Sequence, residues 1–248
     1  MKKIMLLILV LACSQIQLSA QSVKPVYVIV HGAWGGGWAF KKTDSVLSAH
    51  GNTVYRVTLT GQGERAHLSS PEINLQTHIS DVVSTVLYEE LQDIILVGHS
   101  YGGMVITGVA DSIPRRIKKL VYLDAFVPNN GESAVTARQD GKQGPERNVV
   151  DGFSVPGWVS KNAQPPKDVP QSYKTFTQPV SYKNKLALKL PATYILTVDK
   201  GAKPEEDFFY FFANRAKQRG WKVLQMTADH NPQWSNVPGL VALLEQEK

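Results

Sequence analysis

One cysteine in 248 residues, Cys13, leaves no partner for an intrachain disulfide, so cross-links cannot hold this fold together. Charge is also scarce, at 19% of residues, and the hydrophobic share of 43% is ordinary for a globular chain. Such a composition excludes whole-chain disorder, collagen and a coiled coil. No internal period is visible, which argues against a solenoid. No apolar run approaches the ~20 residues that a membrane-spanning helix needs; Ile4 to Ala12 is nine residues long. No cluster of His, Cys and carboxylates has the spacing of a metal site, and no metal or other cofactor is expected. The formal charge of +6 is spread thinly. Its short clusters, Arg115-Arg116-Lys118-Lys119 and Lys183-Lys185-Lys189, lack interleaved aromatics and read as solvated surface rather than a nucleic-acid patch.

The first twenty residues stand apart from the rest. A basic start, Met1-Lys2-Lys3, leads into the short apolar run and then a more polar stretch ending in Ala20. That order predicts a secretory signal peptide over 1–20, cleaved after Ala20, and a secreted or periplasmic product; a buried N-terminal strand is the competing reading. Val10-Leu11-Ala12-Cys13 resembles a bacterial lipoprotein signal, so anchoring through a lipidated Cys13 is the alternative. Without Lys2 and Lys3, the 27 basic residues fall to 25 against 21 acids, leaving a charge of +4.

From Val26 onward short apolar runs alternate with helical patterns. Strands are expected at Val26–Val30, Thr53–Leu59, Asp93–Val97, Lys119–Leu123, Pro191–Val198 and Trp221–Met226. Helices are expected at Trp38–His50, Met104–Ala110, Glu205–Arg219 and Val237–Glu245. Another is carried by the stripe Leu75, Ile79, Val82, Val83, Val86 and Leu87. This rhythm predicts an α/β fold, a mainly parallel six-stranded sheet with helices on both faces. It fails between Val127 and Leu190, where half of the fourteen prolines fall among scattered aromatics such as Phe153, Trp158 and Tyr182. A structureless loop of that length is unusual. The expected organisation is one domain over 21–248 with a cap insertion at about 127–190.

The motif Gly98-His99-Ser100-Tyr101-Gly102 lies between an apolar strand and a helix. A G-x-S-x-G in that setting is the sharp turn that lifts a serine hydroxyl above the C-terminal edge of a sheet, with a helix N-terminus aimed at developing negative charge. Serine needs a base. Of six histidines, His230 is the expected base, because it sits in the polar loop Ala228-Asp229-His230-Asn231-Pro232 after the last strand. His31 and His99 read as structural, and His50, His67 and His78 as surface or packing. Two acids end strands at the same edge, Asp199 and Asp124. Asp199 is the expected orienter of His230, and Asp124 is expected to organise the start of the cap. The oxyanion donors are expected to be the backbone N–H of Tyr101 and, by position in the loop His31–Trp38, that of Ala33.

These segments together resemble the α/β-hydrolases, and within them the compact branch of plant methylesterases, hydroxynitrile lyases and bacterial esterases. The resemblance rests on Val30-His31-Gly32-Ala33-Trp34 and Trp38, Leu59-Thr60-Gly61-Gln62-Gly63-Glu64-Arg65, Gly98–Gly103, Leu123-Asp124-Ala125-Phe126-Val127-Pro128, Asp199 and Ala228-Asp229-His230. It implies a triad of Ser100, Asp199 and His230, oxyanion donors at Ala33 and Tyr101, and hydrolysis of a small, partly apolar or aromatic ester through an acyl-enzyme. The lyases of the branch carry Thr where this chain has Gly32 and Lys where it has Asn231, which speaks against cyanohydrin cleavage. That reaction and non-catalytic binding of a small ligand stand as the alternatives.

Overall fold

The computed structural model describes residues 24–137, 148–160 and 162–248. The expected signal peptide and Cys13 lie outside them. The strands are β1 Val26–Val30, β2 Thr53–Val57, β3 Ile94–His99, β4 Ile117–Leu123, β5 Val149–Val150, β6 Phe153–Ser154, β7 Gln171–Ser172, β8 Ala192–Val198 and β9 Lys222–Thr227. The α-helices are α1 Lys41–Ala49, α2 Leu75–Tyr88, α3 Gly102–Ser112, α4 Lys174–Thr177, α5 Tyr210–Gln218, α6 Pro232–Ser235 and α7 Val237–Glu245. Six strands pair in the order β2-β1-β3-β4-β8-β9, every pair parallel. The α/β class and the six-stranded parallel sheet expected from the apolar rhythm are what the chain forms.

Both faces of this sheet are buried, which is why its central strands read as unbroken apolar runs. Side chains alternate across a strand, and the core divides accordingly. Val28, Val30, Leu96, Leu120, Tyr122 and Tyr194 pack on one face beneath α2, α3 and α5. Their neighbours Tyr27, Ile29, Ile95, Val97, Val121 and Ile195 pack on the other, beneath α1 and α7. The stripe of α2 sends Leu75, Ile79, Val82 and Val86 into the first cluster. Its start is fixed by Asn74, whose Oδ1 accepts from the Thr77 N–H at 3.0 Å. Helix α5 starts at Tyr210 rather than Glu205, because Pro204–Glu206 forms a separate 3₁₀ turn and Asp207 is extended.

Strand order creates the site. From β1 the chain crosses to β2 on one side, then returns to place β3 on the other. The connections after β1 and β3 therefore diverge to opposite faces, and a crevice opens at the C-terminal ends of these neighbours, the usual ligand position in open parallel sheets. The connection from β4 to β8 contains the small antiparallel sheet β5-β6-β7 and the short helix α4, which gives the proline-rich stretch a structure of its own.

At the opposite end of the sheet a buried carboxylate fastens the C-terminus. Glu247 is fully buried and accepts from Lys119 Nζ and Lys222 Nζ at 2.7 Å each and from Thr193 Oγ1 at 2.6 Å. Burial alone would raise its pKa; the hydrogen bonds from Lys119, Lys222 and Thr193 outweigh that and hold it below the usual glutamate value. A folded pKa below the unfolded one contributes stability that is present above the unfolded pKa of 4.5 and lost as pH falls through the folded value. Glu247→Gln is expected to cost about 1–3 kcal/mol at pH 7, since both lysines can turn to water once the carboxylate is gone. Equilibrium denaturation should show the difference from wild type narrowing below pH 4.5.

Candidate active site

Register places the elements of the site. Val30 pairs with Gly98, so the loop after β1 starts level with His99 and Ser100. His99 pairs with Leu123, so Asp124 follows beside Ser100. Ser100 holds φ at +54°, in the left-handed region that a non-glycine residue rarely enters. Its neighbours secure that conformation. The Ser100 carbonyl accepts from the N–H groups of Gly103 and Phe126, both at 3.1 Å, and its own N–H donates to the Leu123 carbonyl at 3.2 Å. A side chain at Gly102 would meet the carbonyl oxygen of Val30 at 2.7 Å, so the turn requires glycine there for close approach.

The serine hydroxyl and the His230 Nε2 are 3.0 Å apart. The other ring nitrogen, Nδ1, is 2.7 Å from Asp124 Oδ2. A carboxylate only accepts, so Nδ1 carries the proton, and Nε2 is left to accept from the serine. The sequence-based choice of Asp199 is thereby corrected: the carboxylate that meets His230 belongs to Asp124. The reason is register. Leu123 pairs with Ile195, which sets Asp124 level with Leu196, three residues before Asp199. At about 3.3 Å per residue, Asp199 falls roughly 10 Å farther beyond the sheet edge. It is exposed, and its carbonyl closes a turn with the Ala202 N–H. Asp124 is fully buried, and its Oδ1 accepts from the Thr197 N–H at 3.1 Å, so both of its oxygens are engaged. Its φ of +44° belongs to the left-handed region that Asp tolerates better than most residues.

Two further groups hold His230. The Phe209 ring stacks on the imidazole at 4.6 Å and 7°. On its other side His99 lies 4.8 Å away and donates Nε2–H to the His230 carbonyl at 2.7 Å. This contact of His99, expected from sequence to be structural, spans 131 residues and left no local trace. Asp229 points away from the imidazole, accepting from Asn231 N–H and Ser235 Oγ at 2.8 Å each.

The loop after β1 brings Ala33 beside the turn. Among the described residues no hydrogen bond takes up the N–H of Ala33 or of Tyr101. His31 shapes the loop, accepting from the Leu59 N–H at 3.1 Å through Nε2 and donating through Nδ1 to the Gly32 carbonyl at 2.7 Å. Tyr101 is anchored through its hydroxyl, which donates to His78 Nδ1 at 3.0 Å, while His78 Nε2–H donates to the Thr60 carbonyl at 3.0 Å. A Cβ on Gly32 would come within 3.0 Å of both the Ser100 Cβ and His99 Nδ1, so a larger residue there would press on the nucleophile. The hydroxyl opens into a cleft of about 420 Å³ walled by Trp34, Phe40, Trp158 and Trp234. Among the described residues no group of three or more His, Cys, Asp or Glu could hold a metal ion.

Residues 27–242 match the model of the alpha/beta hydrolase family, and the chain belongs to that family. It is 58% identical over 107 residues to the carbendazim hydrolyzing esterase of Nocardioides sp. (strain SG-4G), covering 43% of this chain and 44% of the relative. Over 104 residues it is 33% identical to the alpha-hydroxynitrile lyase of Arabidopsis thaliana, 42% of this chain and 40% of that one. Arabidopsis methylesterases are further relatives, so the resemblance to the methylesterase and lyase branch holds. The chain thus matches less than half the length of either named relative. Among solved structures, an extracellular alpha/beta-hydrolase from a Paenibacillus species superimposes with a TM-score of 0.72 at 20% identity, covering 90% of this chain and 98% of that one.

The buried histidines set a pH limit on the site. Burial, the leading cause in each case, lowers His31 and His78 to about 4 and pushes His99 well down, the last helped by His230. Their unfolded pKa is 6.5, so stability is full above that value and lost as pH falls towards about 4, where the unfolded chain takes up protons that the folded one refuses. Each contributes up to about 1.4 kcal/mol per pH unit over that range. Urea unfolding should therefore give several kcal/mol less stability at pH 5 than at pH 7, and the loss should shrink in His78→Gln.

Proposed function

We propose that the chain is a serine hydrolase of carboxylic esters, with Ser100, His230 and Asp124 as its triad. The observation that carries this reading is the pair of hydrogen bonds through His230, 3.0 Å to Ser100 Oγ and 2.7 Å to Asp124. In the reaction His230 Nε2 takes the serine proton as Oγ attacks the ester carbonyl. The imidazolium so formed is stabilised by Asp124, which keeps its own proton-free state. The N–H groups of Ala33 and Tyr101 receive the oxyanion. His230 then protonates the departing alcohol, leaving an acyl group on Ser100, and activates a water that releases the acid.

The aromatic walls of the cleft suit a small, partly apolar or aromatic ester. A relative named for hydrolysing carbendazim agrees with an ester-type bond in a small molecule. Gly32 and Asn231 occupy the positions where the branch's lyases carry threonine and lysine, which favours hydrolysis over cyanohydrin cleavage. The connection between β4 and β8 acts as the cap, since it supplies Trp158 to the cleft. Residues 1–20 act as a cleaved leader that delivers the enzyme outside the cytoplasm. A relative structure described as extracellular supports this, and among the described residues no helix is long and apolar enough to cross a membrane.

A short-chain 4-nitrophenyl ester and a fluorophosphonate label test the chemistry. Wild type should hydrolyse the one and be labelled by the other, and Ser100→Ala should lose about 10⁴–10⁶ of the turnover while staying folded. Asp124→Asn should lose about 10²–10⁴, whereas Asp199→Asn should stay within threefold. Collapse of Asp199→Asn with an active Asp124→Asn would reverse the assignment. Expressed with its leader in a Gram-negative host, the product should begin at Gln21 in a soluble periplasmic fraction. A lipid on Cys13 would be the contrary result.

A further inference from the structure

The cleft that holds Ser100 also contains a carboxylate that the reaction does not use. Asp168 lines it, in the run that leads into β7. One oxygen, Oδ2, accepts from Trp158 Nε1 at 3.0 Å. The other, Oδ1, faces the loop after β1, 3.9 Å from where a Gly35 Cβ would stand. Among the described residues no cation pairs with it, and its pKa is raised by burial against the lowering effect of the Trp158 hydrogen bond. A half-buried carboxylate with a spare acceptor is costly unless something donates to it. Nor is its position accidental. The next residue is pinned, since the Val169 N–H donates to the Trp34 carbonyl at 2.8 Å, and Gln171 Oε1 accepts from the Trp34 N–H at 2.9 Å. The carboxylate is therefore held against the loop that carries the proposed oxyanion donor Ala33. Its surroundings are aromatic: Trp34 and Trp158 meet edge to face at 5.4 Å and form a corner beside it.

We propose that Asp168 is a specificity residue, selecting esters whose flat ring system carries an N–H donor, with the donor on Asp168 Oδ1 and the ring against Trp34 and Trp158. This rests on the hydrolase reading above. A carboxylate only accepts, so it rewards N–H groups and repels anionic rings. Aromatic faces alone reward any ring of the right size. Together they define substrates of the N-heteroaryl type rather than simple aryl or alkyl esters.

The test is a matched pair: 4-nitrophenyl indole-5-carboxylate and 4-nitrophenyl benzothiophene-5-carboxylate, which differ in the ring N–H and share shape and leaving group. Wild type should show a KM about tenfold lower for the indole ester with similar kcat. Asp168→Asn keeps an amide oxygen for Trp158 but loses the charge. It should bring the two KM values within twofold of each other by raising that of the indole ester, with the melting temperature unchanged. No preference in wild type, a preference that survives in Asp168→Asn, or an equal loss on both esters would each overturn the assignment. The hydrolase reading is judged separately, by whether hydrolysis of the benzothiophene ester disappears in Ser100→Ala. If neither ester turns over, the same ring preference is read as binding of indole-5-carboxamide and benzothiophene-5-carboxamide, followed by tryptophan fluorescence in wild type and Asp168→Asn, with the same outcomes upholding or overturning it.

Discussion

The left-handed backbone at Ser100 is the constraint around which the sheet edge is arranged. A serine in that conformation is strained, and strain persists only where the surroundings over-determine it. Here two backbone hydrogen bonds tie the turn to β4 and to the chain just past it, through Leu123 and Phe126. The same residues deliver Asp124, the carboxylate that faces His230. The hold on the nucleophile and the placement of the acid are therefore one piece of structure. A shift of β4 against β3 would loosen the serine turn and pull the carboxylate from the imidazole together.

A second dependence runs through neutral histidines. Burial keeps His31, His78 and His99 uncharged, and in that state each can donate through one nitrogen and accept through the other. His31 and His78 use both capacities, joining the β1 loop and Tyr101 to the backbone at Leu59 and Thr60. His99 donates to the carbonyl of His230 itself. Protonation of His78 would put a second donor against the Tyr101 hydroxyl, so the network that seats the proposed oxyanion donors holds only while its members remain neutral.

How much of this was legible beforehand follows from range. The sheet announced itself because both faces are buried, which forces continuous apolar strands such as Ile94–Val97 and Tyr194–Val198. That Ser100 and His230 meet was readable because turn chemistry and chain order are local. The choice between Asp124 and Asp199 was not, because it depends on parallel register between β4 and β8, set by packing across 69 residues rather than by either strand alone. One signal did exist: Asp124 stands at the end of the strand expected next to the serine strand, and Asp is among the residues that tolerate a left-handed backbone. Phe209 stacking on His230 had no such trace, since the aromatic run Phe208-Phe209-Tyr210-Phe211-Phe212 reads equally as core.

The β4–β8 connection and the β1 loop are also fixed as a unit. Trp34 has a φ of +64°, a conformation that a bulky residue adopts only under restraint. The restraint comes from the connection: Gln171 takes the Trp34 N–H, Val169 gives to its carbonyl, and the Ser154 carbonyl takes its indole N–H at 3.2 Å. Phe176 of α4 packs on both Trp34 and Tyr101. The segment where sequence periodicity was weakest is thus the one that holds the residues flanking the proposed oxyanion hole. Its irregularity has a physical basis, because part of its main-chain and side-chain hydrogen bonding goes to a neighbouring loop rather than into regular structure. A cleft assembled this way has its aromatic wall, its spare carboxylate and its proposed oxyanion donors placed before any ligand arrives. Binding energy then need not be spent on ordering them, and remains for the transition state.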